Sequence, residues 1–406
     1  MKTIALVEIG NDGHRNAYMR LFIGALLELN CKIICLIPDP GPIQVWVNTH
    51  YPDERDRVTY IPLEYFRDKF PYAGKFRERL NILYNWYFLN KTIEQIETKY
   101  SLKTDLVFLN FLDAYLLNRT PPWVIDRLMK KKWSGLYFFP SVVRLQPELL
   151  HQPLESMHKD ILFKARNCIG ITLLDSGVFQ SYSNRIGKPA ILLPDIADNT
   201  GPNPQSLIAR EIRSCARGRI VIGTIGLESH KCGYEFLQLA KNADTTKYFF
   251  AFTGPLYDSF LNYYPDSQAS EILEFKNALP ENCFWQTERI PDLVGDAEYN
   301  AVINAFDVVW VVYKNFYGSS NRLTKAAIFH KLVLSTNLYC IGENVAHYNL
   351  GEMLADTKIP TMINALDRLY TRIKKNDLPF ENWEVFIQKN SAAVLKERFN
   401  EILSLL

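Results

Sequence analysis

At 406 residues the chain is longer than one hydrophobic core ordinarily supports, so two domains of about 200 residues each are expected. Hydrophobic residues make up 48% and charged residues 22%, a balance that fills large cores and excludes a disordered or fibrous chain. Lys and Arg total 46 against 44 Asp and Glu, and the net charge of +2 offers no broad attraction for a polyanion, which argues against nucleic acid as a partner.

In chain order, the first element reads as a strand, Ile4-Ala5-Leu6-Val7 running on to Ile9, too short for the core of an export signal and soon broken by Glu8 and Asp12. A turn at Gly10-Asn11-Asp12-Gly13 follows. Tyr18, Leu21, Phe22, Ala25, Leu26 and Leu29 then recur at helical spacing. Further strands are expected at 32–37, 58–63, 105–110, 134–139, 168–174 and 190–193, with helical stretches between most of them, which makes one doubly wound parallel α/β domain over 1–198. The Pro, Gly and Asn content of 195–204 reads as a linker. The pattern restarts with strands at 219–223, 248–252, 283–286, 308–313 and 332–335, a second Rossmann-like domain over 199–382. A last helix over 383–406, with Val385, Phe386, Val394, Leu395, Phe399, Ile402 and Leu405 as its apolar positions, is expected to turn back to the first domain.

No apolar run of about 18 residues is present, so no membrane-spanning helix is expected. The seven cysteines, at 31, 35, 168, 215, 232, 283 and 340, form no Cys-x-x-Cys pair. That spacing points to a reducing cytoplasm and to no metal site.

Ligands of open α/β sheets bind beyond the carboxyl ends of the strands, where helix N-termini gather unpaired N–H groups. Two strand-to-helix turns of the second domain carry suitable chemistry. The first, Gly223 to Gly233, combines glycines with Lys231 and reads either as a phosphate cradle or as a structural glycine turn. The second runs from Tyr313 through Tyr317, Gly318, Ser319, Ser320 and Asn321 into a helix. Ser320 or Asn321 is placed to cap that helix, and its positive end, helped by Arg322 or Lys325, suits a diphosphate. Both turns end strands of one domain and can converge on one anion.

With these turns in this order, the chain resembles the GT-B glycosyltransferases, glycosyltransferase family 4 in particular, over nearly its whole length. Gly226 to Lys231 and Gly233 look like that family's glycine-rich turn and lysine, Phe252-Thr253-Gly254 like its next strand ending in glycine, and Lys325 to Thr336 like its Glu-Ala-Met-Ala-x-Gly-x-Pro-Val segment. The family's paired glutamates fall on Tyr317 and Lys325, and its arginine after the first glycine falls on Leu227. The resemblance implies two Rossmann-like domains facing across a cleft, with the C-terminal helix crossing back to the first. It implies transfer of a sugar from a UDP- or GDP-sugar without metal or cofactor, the donor held by Gly226, Lys231, Gly254, Tyr317, Gly318, Ser319, Ser320, Asn321 and Lys325. A non-catalytic nucleotide-sugar-binding or scaffold protein and a nucleotide-sugar epimerase or hydrolase are the rival readings.

In the first domain, Gly13-His14-Arg15-Asn16-Ala17-Tyr18 resembles the start of the first helix in some of these enzymes. His14 reads as a base or donor to substrate, or as a residue that lines the turn. Asp113 is the second catalytic candidate, and Asp12, Gly13, Tyr18 and Pro140 are candidates for the acceptor side, with Glu8 a further carboxylate at a strand end. The acceptor stays open among small molecule, glycan, lipid and protein. Residues 65–91 mix Arg67, Lys69, Lys75, Arg77 and Arg79 with Phe66, Phe70, Tyr72, Phe76, Tyr84, Trp86, Tyr87 and Phe88, a composition suited either to peripheral contact with the inner face of a membrane or to a packed helix with solvated charges.

Overall fold

A computed structural model describes residues 1–10, 15–63, 75–145, 158–288, 290 and 296–406. They form two compact units, residues 1–196 with 390–406, and residues 197–389.

The first unit is built on seven parallel strands: β1 (Thr3–Val7), β2 (Lys32–Ile37), β3 (Val58–Pro62), β4 (Leu106–Leu109), β5 (Trp133–Tyr137), β6 (Ile171–Leu173) and β7 (Ala190–Leu192). Their spatial order is β3-β2-β1-β4-β5-β6-β7, and Ile4 pairs in register with Ile33 on one side and Leu106 on the other. A parallel sheet is covered on both faces, so its strands are apolar throughout. Ala5, Val7, Val107 and Leu109 join a core with Trp86 and Trp133, whereas Ile4, Leu6, Leu106 and Phe108 join another with Phe22 and Phe399.

The second unit repeats the plan with β8 (Ile220–Ile225), β9 (Tyr248–Thr253), β10 (Cys283–Gln286), β11 (Val308–Val311), β12 (Leu332–Thr336) and β13 (Gly351–Leu354), ordered β10-β9-β8-β11-β12-β13, all parallel. Strand order therefore reverses between β1 and β4 in one sheet and between β8 and β11 in the other. At such switch points neighbouring loops diverge and leave a crevice.

Strand β13 was not expected. Three of its four residues are partly exposed, so it carries no apolar run, and it is specified instead by close backbone approach: a Cβ on Gly351 would stand 2.0 Å from the Val333 carbonyl oxygen. The helix expected over 383–406 is two helices, Phe380–Lys389 and Ala392–Ser404, broken at Asn390 and Ser391. Ser391 caps the second by accepting from the Val394 N–H at 3.4 Å. The first helix buries Trp383 and Phe386 in the core of the second unit. The second helix returns to the first unit, where Phe399 packs against Phe22 and Phe108 with ring centroids 5.1 and 5.3 Å apart. No described helix is long and apolar enough to cross a membrane.

Candidate functional site

The loops that leave β8 and β11 flank the switch point of the second sheet. After β8 the chain turns through Gly226 at φ +72°, whose N–H donates to the Thr253 carbonyl at 2.6 Å. Gly254, at φ +113°, ends β9 directly beneath: a Cβ there would stand 3.3 Å from the Gly226 backbone. Both glycines therefore answer a conformational need that side chains would strain. A single 3₁₀ turn, Ser229–Lys231, and Cys232 in the left-handed region (φ +49°) lead into the helix Gly233–Asn242.

Two hydrogen bonds stitch this loop to the other. The Lys314 N–H donates to the His230 carbonyl at 2.7 Å, and the Trp310 indole N–H donates to the Lys231 carbonyl at 2.9 Å. The His230 ring stacks on Tyr313 and Phe316, at 5.9 and 5.7 Å between centroids. Burial, with the nearby Lys231 and Arg322 charges, holds its pKa below the usual histidine value against the pull of Glu228.

The helix Asn321–Ile328 starts without a side-chain cap. Ser320 occupies the cap position, but its hydroxyl shares a 3.0 Å hydrogen bond with Tyr313, which corrects the expectation that it caps the helix. The Leu323 N–H donates to the Ser320 carbonyl at 2.9 Å, but with no capping side chain the positive helix end keeps its capacity for an anion. Gly318 is buried, Ser319 and Asn321 are half-buried, and the half-buried Tyr317 ring meets Tyr339 edge to face at 4.8 Å.

Arg322, in the first turn, is the residue the sequence reading undervalued. It is 5% exposed, its Nη1 lies 3.4 Å from the Thr224 hydroxyl, and the Tyr299 hydroxyl is a further partner. Its Nη2 would lie 3.8 Å from a Cβ on Gly226, so the guanidinium hangs over the glycine turn. Among the described residues no carboxylate stands within ion-pair distance of it. Lys231, with a side chain 18% exposed, pairs with Glu228. Burial first, and then Arg322, pull its pKa down to about 8, with Glu228 opposing. Two cations thus share one carboxylate around Gly226.

Lys325 sits differently. It is 2% exposed, and its ammonium donates to Asp296 Oδ2 at 2.8 Å, Asn300 Oδ1 at 2.5 Å and the Asp198 carbonyl at 3.2 Å, which uses all three of its N–H bonds. An open concavity of about 790 Å³ beside the helix Gly233–Asn242, bounded by Tyr234, Tyr263, Tyr264 and Lys358, shares Lys314 with these loops but neither Lys231 nor Arg322.

In the first unit, Asp12, Gly13 and His14 lie outside the described residues, as do residues 65–74 of the segment 65–91. Tyr18 is buried and donates to Asp195 Oδ1 at 2.6 Å. The Pro140 carbonyl accepts from the N–H groups of Val143 and Arg144 at 3.1 and 3.2 Å. Asp113 accepts from the N–H groups of Phe138 and Phe139 at 2.8 and 3.2 Å, and burial pushes its pKa up to about 6 against the pull of Lys159 and those N–H groups. Glu8, 2% exposed, accepts from the Ile9 N–H at 2.7 Å and from Arg15 at 3.3 Å. Of the described aromatics in 65–91, Trp86 is fully buried with its N–H on the Tyr115 carbonyl, whereas Tyr87 is exposed.

No protein-family model matches the chain, and no curated protein matches it in sequence. Solved structures match it in fold. HepE from Anabaena, solved with UDP and glucose, is 11% identical with a TM-score of 0.64, and the match covers the whole of both chains. Sucrose-phosphate synthase from Thermosynechococcus elongatus is 15% identical with a TM-score of 0.66, over 100% of this chain and 98% of that one. The N-terminal domain of Candida albicans trehalose-6-phosphate phosphatase is 10% identical with a TM-score of 0.64, over 100% and 97%. At such identities the likeness is one of fold: the chain has the two Rossmann-like domains of the GT-B glycosyltransferases.

Proposed function

We propose that this protein is a glycosyltransferase that takes a sugar from a nucleoside-diphosphate donor held at the switch point of the second sheet. The observation that carries the reading is a pair of largely buried cations, Arg322 poised over Gly226 and Lys231 beside it, that have only the partly exposed Glu228 between them as a nearby carboxylate among the described residues. Two such cations that share one carboxylate are incompletely compensated, a costly arrangement that an arriving anion would complete.

In this reading Arg322, Lys231 and the uncapped N–H groups of the helix Asn321–Ile328 hold the diphosphate. As the bond from the sugar to the diphosphate oxygen breaks, negative charge gathers on the leaving group, and fixed positive groups stabilise that state more than the bound donor. They do so without a metal ion. HepE, solved with UDP-glucose, supports a UDP-sugar ahead of a GDP-sugar. Lys325, with its ammonium fully engaged, positions the helix rather than touching the donor. The cysteines are all free, which supports a reducing cytoplasm.

Lys325 also favours one rival. The resemblance places a ribose-binding glutamate at that position, so a protein that binds nucleotide sugar without turnover is the second reading.

Calorimetric titration with UDP, GDP, ADP, TDP and their sugars separates these. One diphosphate is expected to bind, and at a hundredfold excess over Kd to stabilise the fold by about 2.7 kcal/mol. Lys231→Ala is expected to abolish that binding. Binding of none of the four to the wild type would sink the proposal. Binding without consumption of donor across an acceptor panel would favour the second reading, and consumption without acceptor would mean an epimerase or hydrolase.

A further inference from the structure

The cations around Gly226 already hold one anion, and it belongs to the chain. Glu228 Oε1 pairs with the Lys231 ammonium, and Oε2 lies 3.5 Å from His230 Nε2. The same Oε1 would stand 3.8 Å from a Cβ on Gly226, as Arg322 Nη2 would. The carboxylate and the guanidinium therefore border the same space above the glycine, where the preceding proposal puts the diphosphate. Burial opposes ionisation of Glu228, but the charges of Lys231, His230 and Arg322 outweigh it and hold its pKa below the usual carboxylate value. The side chain is 45% exposed, on a one-turn loop, so rotation to solvent is open to it.

We propose that Glu228 is a resident counter-ion of the diphosphate site, one that an arriving diphosphate displaces, and that this displacement sets the affinity of the site. The inference rests on the donor-site reading above. Two consequences follow from Coulomb's law among these closely spaced groups. With the ligand absent, Glu228 relieves the repulsion between Lys231 and Arg322 and stabilises the fold. With the ligand bound, a carboxylate left in place would repel the phosphates, so its expulsion is a cost charged against every diphosphate that enters.

The test measures binding of inorganic pyrophosphate, UDP and GDP to the wild type, Glu228→Gln and Glu235→Gln, together with the melting temperature of each protein without ligand. Glutamine keeps the shape and removes the charge. Glu235, one helical turn beyond Lys231, controls for loss of a nearby negative charge. Glu228→Gln is expected to bind pyrophosphate and the preferred nucleotide about tenfold tighter, with a lower melting temperature, while Glu235→Gln matches the wild type. Should the glutamine variant fail to fold, Glu228→Ala is read in the same way. If the wild type binds a nucleotide and Glu228→Gln binds it equally or more weakly, the counter-ion inference is overturned and the donor site stands. Equal tightening by both variants also overturns it, since general charge would then be the cause. If neither wild type nor Glu228→Gln binds any of the three ligands, the donor-site reading falls and takes this inference with it.

Discussion

The two sheets share one topology, but buried charge around the first is treated differently from that at the switch point of the second. Around the first, buried acids are answered within the fold: Glu8 by Arg15 and backbone N–H groups, Asp175 by Arg144, Asp195 by Tyr18, and Asp160 by the hydroxyls of Tyr137 and Tyr182. At the switch point of the second, Arg322 and Lys231 share Glu228. Burying a charge is expensive unless it is paired. A charge that the fold itself answers maintains the structure, and in the proposed reading one left over is held for the diphosphate.

The largest expected effects test this contrast directly. Asp160→Ala strips a fully buried carboxylate from two tyrosine hydroxyls and is expected to cost about 3 kcal/mol of stability, since each orphaned hydroxyl costs roughly 1–3 kcal/mol. Arg322→Met is expected to move stability and binding in opposite directions. The unliganded protein is expected to melt no lower than the wild type, because relief of the repulsion from Lys231 and of the cost of burying a guanidinium offsets the lost contacts to Thr224, Tyr299 and Glu228. Nucleoside-diphosphate affinity falls by about 100-fold, because a buried charge partner has been removed. Calorimetric melting with a parallel titration reads both. Loss of stability in Arg322→Met comparable to that in Asp160→Ala, with binding retained, would show that the second sheet uses its charges as the first does.

A smaller effect sharpens the same contrast through pH. Lys231, drawn down to about 8, carries its proton below that value and loses it as pH rises through it. An unfolded lysine keeps its proton to about 10.4, so between the two values the unfolded state binds more protons and this group makes the unliganded protein more stable as pH rises. Binding runs the other way. A phosphate with a second pKa of about 6 is fully ionised throughout that window, so the affinity for UDP is expected to fall between about pH 8 and 10 through loss of the lysine charge. Lys231→Arg, whose guanidinium stays protonated, is expected to flatten the profile. A wild-type profile that is already flat would remove Lys231 from the site.

How much of this was legible in sequence follows from the same physics. The inner strands were plain because a parallel sheet covered on both faces makes them apolar at every position, as in β1, β8 and β11. Edge strand β13 was hidden because its residues are half-exposed and its specification lies in Gly351 against Val333. The break at Asn390 and Ser391 was hidden because a polar pair without proline interrupts helical periodicity only weakly. At the site, the glycine turn and Lys231 could be read because they are local, a loop between a strand and a helix. Arg322 and Lys325 were offered as equals, three residues apart on one helix. Only the fold separates them, by bringing Asp296 and Asn300 to one and Gly226 to the other. Glu228 looked like an ordinary loop residue, since nothing in its neighbours in sequence says that Arg322 arrives from about 90 positions away.

The smallest effect concerns Asp113, a carboxylate of the first unit whose burial outweighs the groups that favour its charge. Two backbone N–H groups and Lys159 favour its charge, yet burial outweighs them and its pKa stands at about 6. A carboxylate raised in the folded state contributes stability that is complete below its unfolded pKa of about 3.9 and is lost as pH climbs through 6. Asp113→Asn keeps an oxygen for one of the two N–H groups, which lowers its stability by an amount that does not vary with pH, and it does not titrate. Its melting temperature relative to the wild type is therefore expected to rise between about pH 4 and 7 and to level off above. Parallel curves for the two proteins would mean that the N–H groups of Phe138 and Phe139 compensate Asp113 fully, as the hydroxyls of Tyr137 and Tyr182 are argued to do for Asp160. A rising difference would mark Asp113 as a charge this unit holds at a cost, and the comparison between the two sheets would then be one of degree.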